Sequence, residues 1–155
     1  RLITLIHDKN VGEVTLENGY KEIRYQVDDE DFEAMKKGLK DNARILFAAG
    51  ASYLYLPTSD KTRINSVDDI DKVIDELKNE PARYRYTSFH PQGTCRMGAD
   101  KTKTVVNPYG ETHDVKNLYI VDASLLPTSI GYNPSETVYA LASYIADQIN
   151  SANPS

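Results

Sequence analysis

The chain has 155 residues, 40% of them hydrophobic and 26% charged, with a formal net charge of −5. That length supports one domain of ordinary size with a core that needs no staples, and the acid excess argues against a nucleic-acid partner, whose phosphates need a Lys/Arg-rich surface. The single cysteine, Cys95, excludes an internal disulfide and a cysteine-based metal cluster, and no apolar run approaches the roughly 20 residues of a membrane span.

The chain opens with Arg1-Leu-Ile-Thr-Leu-Ile6, which carries no signal-peptide pattern and so favours a soluble, cytoplasmic protein. A start at Arg1 inside a strand-like run reads as a segment of a longer polypeptide, with processing as the alternative. Leu2 to Ile6 is predicted to be a strand, covered on both faces because it does not alternate cleanly. Glu13-Val-Thr-Leu-Glu17 does alternate, Asn18-Gly19 is a strong hairpin turn signal, and Lys21 to Tyr25 supplies the return strand. A helix is expected from Asp28, with acidic residues in its first turn to complement the dipole. Its apolar stripe is Phe32, Met35, Leu39, Ala43 and Leu46; Gly38 weakens it slightly, and Gly50 ends it.

Ser52 to Leu56 reads as a further strand, stopped by Pro57. Ser66 is a candidate N-cap with Asp69 three residues on, ahead of a stripe of Val67, Ile70, Val73, Ile74 and Leu77. Pro81 falls just past this second helix. Both stripes are core-forming faces, not cofactor boxes. Arg83 to Phe89 is a possible strand, broken at once by His90-Pro91 and Gly93. That order forces an extended-then-turn path and presents His90 at a strand end, where rigid scaffolds carry reactive side chains. Asn107-Pro-Tyr-Gly110 is a turn, and Asn117 to Asp122 a short strand of the buried kind. Pro134 to Ile149 is the last helix, with Val138, Leu141, Ala142, Ile145 and Ile149 on one side, and Ser151 to Ser155 a frayed tail.

Three segments of the last third carry more than architecture. They are His90-Pro-Gln-Gly-Thr-Cys-Arg-Met-Gly98, Val121-Asp-Ala-Ser-Leu-Leu-Pro127 and Gly131-Tyr-Asn-Pro-Ser-Glu-Thr137. In this order and spacing they resemble the carboxy-terminal signature of the glucose–methanol–choline (GMC) flavoprotein oxidoreductases. The resemblance is specific over residues 85 to 150 and weaker from Asp28 to Leu56. It implies a catalytic pair, His90 and Asn133, beside flavin adenine dinucleotide (FAD). It further implies that Asp122 and Ala123 approach the cofactor and that Asn133, Pro134 and Ser135 lie near the pyrimidine end of its ring. The Asn-Pro form of the second site is similar to the cholesterol and choline oxidase branches. No Gly-x-Gly-x-x-Gly dinucleotide turn occurs in the chain, so an FAD-binding portion N-terminal to it is expected as a partner.

The expected fold is therefore α+β: an antiparallel sheet backed by helices, then a strand and helix belonging to a dinucleotide-binding domain. Residues 1–116 are assigned mainly to a substrate-binding portion including the His90 motif, 117–150 to a return into the FAD-binding domain, and 151–155 to the tail. If 117–149 packs into a larger domain, apolar surface is expected around Leu125, Leu126 and the last helix.

The implied chemistry is oxidation of a CH–OH group. The carbinol loses its hydroxyl proton and passes its α-hydrogen as hydride to the flavin; the protein positions the substrate and manages proton and charge. Histidine, with an ordinary pKa of about 6.5, suits the role of base, and asparagine can orient the oxygen without competing for the proton. The N-terminus of the helix at Pro134 offers positive charge to the reduced flavin. Each residue also has a plainer role. Asn133 is a possible N-cap with Pro at N1, Asp122 a turn or cap residue, and Cys95 a packed thiol. His7 and His113 have no motif around them. The substrate class is a small alcohol or a sugar, with eleven tyrosines able to line a cavity or to serve cores and strands. The alternative is a folded fragment or accessory subunit that binds protein surface without turnover. On either reading the chain alone is expected to be inactive, and no metal site is expected.

Overall fold

In the computed structural model, which describes residues 2–152, Asn18 and Gly19 both take positive φ, 52° and 82°. That is the backbone of a type I′ turn, whose twist matches paired strands. It joins β1 (Glu13–Glu17) to β2 (Tyr20–Arg24) in an antiparallel ladder from Glu13 opposite Arg24 to Glu17 opposite Tyr20. An Arg24–Glu17 ion pair spans the hairpin.

Asp28 then caps α1 (Asp29–Ala48), its Oδ1 accepting from the Asp31 amide at 2.8 Å. Phe32 and Ala43 are buried, and Met35, Leu39 and Phe47 pack beside them. The helix stops at Ala48, with Gly50 at φ 94° just beyond. Leu54–Tyr55 (β3) pairs antiparallel with Arg63–Ile64 (β4). A single 3₁₀ turn over Val67–Asp69 leads into α2 (Ile70–Asp75). The Ser66 hydroxyl donates to the Asp69 carboxylate at 2.9 Å instead of capping a backbone amide. Ile70, Ile74 and Leu77 join Val27, Phe32, Leu56, Ile64 and Tyr84 in the first core. Arg44–Asp71 at 2.8 Å and Lys40–Asp75 at 2.7 Å tie α1 to α2 outside it.

The described residues divide at Thr87 and Ser88 into two units. In the second, Val106, Leu125 and Ile145 form the core, with Met97, Tyr119, Ile120 and Ile149 packed on it. Ile145 comes from α3 (Ser135–Ala152). A β-carbon on Gly110 would lie 2.7 Å from Ile145 Cδ1, and Gly110 sits at φ 83°. The Asn107–Gly110 turn thus closes directly onto the helix.

Helices with small antiparallel sheets make the chain α+β, but several sequence expectations fail in detail. There is no single sheet among the described residues; the two ladders are separate. Leu2 to Ile6 is not a strand. It has no strand partner and runs along α1, where Asn42 Nδ2 donates to Thr4 Oγ1 at 2.9 Å. Arg83 to Phe89 is not a strand either: Pro81–Arg83 is a 3₁₀ turn and Tyr84 makes one isolated bridge, to Thr58. Asn117 to Asp122 has a single bridge, Tyr119 to Glu111, and Asn117 lies at φ 61°, which an extended strand cannot include. Leu125 and Leu126 are 1% and 7% exposed, contrary to the uncovered surface expected there. Exposed apolar groups of this unit lie elsewhere, Phe89, Val115 and Tyr132 among them, and, as expected, on the last helix at Tyr139 and Tyr144. The last helix runs on through Ser151 and Ala152; the rest of the expected tail, 153–155, lies outside the described residues, as does Arg1. No helix among the described residues is long and apolar enough to cross a membrane, and none of their His, Cys, Asp and Glu side chains form a metal-holding group of three or more.

Candidate active site

The three motif segments of the last third fold onto one another. The amide of Met97 donates to the Leu125 carbonyl at 3.0 Å, and that of Cys95 to the Ser124 carbonyl at 3.0 Å. The amide of Ile130 donates to Gln92 Oε1 at 3.1 Å. These bonds fasten the loop that begins at His90 to the segment containing Asp122 and Ala123, and to the segment that leads into Asn133. Side chains anchor the same junction: Met97 packs on, and Leu125 and Ile145 lie within, the second core. The loop's far end is held as well, by Gly98 N to Val106 O at 2.9 Å and Val105 N to Arg96 O at 2.9 Å.

His90 is half-buried, and its ring makes no hydrogen bond among the described residues. His113 behaves differently. Its Nε2 lies 3.0 Å from Thr104 Oγ1 and 3.2 Å from the Gly98 carbonyl, so it braces the turn that follows the motif. In that turn Asp100 Oδ1 accepts from the Thr102 hydroxyl at 2.7 Å and the Thr102 amide at 3.0 Å. The two bonds hold the Asp100 carboxyl below its ordinary value. His7 is exposed, and Cys95 is a half-buried free thiol.

Asp122 is the cap of a 3₁₀ turn over Ala123–Leu125, with Oδ1 accepting from the Ser124 amide at 2.7 Å. The carboxylate is exposed and Ala123 is half-buried. At α3 the carbonyl of the buried Pro134 accepts the first helical bond, from Val138 N at 2.8 Å. Asn133 therefore stands one residue outside the helix cap. Its exposed side chain makes no hydrogen bond to the first turn among the described residues, so capping is not its role in this conformation. The amides of Ser135, Glu136 and Thr137 are likewise unpartnered among the described residues. They point the positive end of a long helix at whatever lies before it.

Chemically, these segments offer an imidazole unencumbered by any hydrogen bond among the described residues, a primary amide, and a row of N–H donors that favours electron-rich groups. Motif spacing located His90, Asp122, Ala123, Asn133, Pro134 and Ser135 within this one unit. It did not reveal Gln92, whose side chain links two of the segments. The only signal for it is a polar residue between Pro91 and Gly93, which has no meaning until Ile130 is placed beside it.

Residues 8–142 match a family model described as GMC oxidoreductase. The chain is 35% identical over 159 aligned positions to long-chain-alcohol oxidase FAO3 of Arabidopsis thaliana, covering 96% of this chain and 21% of that protein. Among solved structures it is similar to a formate oxidase, with a TM-score of 0.62, 26% identity, and coverage of 92% of this chain and 25% of that one. It is also similar to pyridoxine 4-oxidase from Mesorbium loti, with a TM-score of 0.57, 25% identity, and coverage of 92% and 28%. The chain spans about a fifth of the length of the curated relative it matches. The family match begins far upstream of residue 85, where the specific motifs start.

Proposed function

The chain belongs to the GMC oxidoreductase family, and we propose that it is the catalytic C-terminal portion of a flavin-dependent enzyme that oxidises a CH–OH group. The observation that carries this reading is the junction of the three motif segments, fastened by the Met97–Leu125, Cys95–Ser124 and Ile130–Gln92 hydrogen bonds. It gathers a free imidazole, an exposed amide and a helix N-terminus into one unit, and these are complementary needs of one reaction.

The donor set suits FAD. The amides of Ser135, Glu136 and Thr137 and the α3 dipole are matched to an electron-rich ring edge that gains negative charge on reduction. Asn133, Pro134 and Ser135 would hold that edge, while Asp122 and Ala123 would border the cofactor on the other segment. When bound, FAD supplies the acceptor for the α-hydrogen. His90 takes the hydroxyl proton as general base, a task for which an imidazole without a competing partner is suited. Asn133 orients the substrate oxygen, donating or accepting without holding a charge of its own. Residues 1–116 contribute mainly to substrate binding, 117–150 complete a dinucleotide-binding domain, and the phosphate-binding glycine turn comes from outside this chain. The substrate is a small-molecule alcohol; the likeness to a long-chain-alcohol oxidase favours an aliphatic one.

The test is steady-state kinetics of the full-length protein with an alcohol panel. His90→Ala is expected to lower kcat by about 10²–10⁴-fold, the usual worth of a general base, with FAD retained. Asn133→Ala is expected to cost less, because it removes orientation but no proton acceptor. Small, equal losses in both variants would show that neither residue serves the chemistry.

A further inference from the structure

Main-chain hydrogen bonds fasten the 95–97 stretch to residues 124–125, but among the described residues none joins the His90 loop to the stretch leading into Asn133. One side chain does so. Gln92 lies two residues after His90, and Ile130 three residues before Asn133. The Ile130 amide donates to Gln92 Oε1 at 3.1 Å, across 38 residues of sequence. A backbone N–H can only donate, so the partner must be the amide oxygen, whichever way the Gln92 Nε2 is turned. Gln92 and Ile130 are both half-buried, so water competes for the Ile130 amide less freely than at an open surface.

We propose that Gln92 is a positioning residue, which sets the segment carrying Asn133 relative to the loop carrying His90. The proposal rests on the reading of His90 and Asn133 as the reacting pair. Gln92 touches neither substrate nor cofactor in this role. It acts through the Ile130 main chain, and only its oxygen is needed.

The experiment compares Gln92→Met with Gln92→Glu in the full-length protein. Methionine matches the length of glutamine but removes the acceptor; ionised glutamate keeps it. Gln92→Met is expected to lower kcat by about 10- to 100-fold, the scale of a misplacement of roughly an ångström. KM should stay within about threefold, since substrate binding is not what is lost. Hydrogen–deuterium exchange in the 127–133 segment should accelerate in Gln92→Met and remain slow in Gln92→Glu, which should also recover most of the kcat. A Gln92→Met enzyme with wild-type kcat, beside a His90→Ala enzyme that is impaired, would overturn the proposal while leaving the site reading intact. An unimpaired His90→Ala enzyme would instead remove the site reading, and the positioning role of Gln92 with it. If Gln92→Met does not fold, Gln92→Glu decides the matter: slow exchange over 127–133 supports the link, and fast exchange refutes it.

Discussion

Asp60 shows how far local contacts can bias a single group on this chain. The Thr58 hydroxyl, the Thr62 hydroxyl and the Arg83 guanidinium, 2.9 Å away, hold its carboxyl at about 2, below the ordinary 3.8. A carboxyl depressed by folding stabilises the native state above its unfolded value and loses that contribution as pH falls through the folded one. The Asp60 contribution is thus complete above pH 3.8 and is lost between there and about 2. An NMR titration of the Asp60 carboxyl checks this, and a midpoint near 3.8 would contradict it. His90 is the opposite kind of residue, with no partner to hold it among the described residues. Its candidacy was legible in the sequence through the motif around it, and the plain capping role of Asn133 was equally legible. Only the position of Pro134 as the first acceptor of α3 separates Asn133 from the cap. Gln92 was not legible, because its partner Ile130 is distant in sequence.

Elements whose causes are local were read correctly. The Asn18-Gly19 turn fixes its hairpin, and Asp28 with three acidic residues fixes the start of α1. Strands needing a distant partner were not. Leu2 to Ile6, Arg83 to Phe89 and Asn117 to Asp122 all have strand composition, yet apolar content cannot supply a neighbouring edge to pair with. Within the strand expected at Ser52 to Leu56 only Leu54–Tyr55 pairs, and its partner β4, two residues long, is too short to leave a period. A tight element-level fit is at Gly110, where three Ile145 carbons would stand within 3.0 Å of an added β-carbon. Gly110→Ala combines overpacking with a left-handed backbone and is expected to destabilise the unit by about 2–4 kcal/mol. Chemical denaturation measures it; a change below about 0.5 kcal/mol would mean that α3 does not close on that turn.

At the scale of the whole molecule, the α+β class was legible from alternating strand and helix signals, while the single sheet was not, because sheet membership depends on pairing between separate elements. The distribution of chemistry is also a whole-molecule property. His90, Asn133 and a helix N-terminus lie in the unit beginning at Ser88, but the chain has no glycine-rich turn to grip a pyrophosphate. Residues 1–155 by themselves are therefore expected not to retain FAD through desalting, and stoichiometric flavin absorbance in the eluted chain would refute that. The proposed role of His90 is to remove the proton during oxidation of an alcohol by the flavin-loaded full-length protein. Its most direct measurement is anaerobic single-turnover mixing with a long-chain primary alcohol, following loss of the oxidised-flavin absorbance. Rapid bleaching is expected in the wild type, and bleaching slower by about 10²–10⁴-fold in His90→Ala at unchanged flavin occupancy. Equal bleaching rates in the two proteins, or a wild-type flavin that no alcohol bleaches, would contradict it.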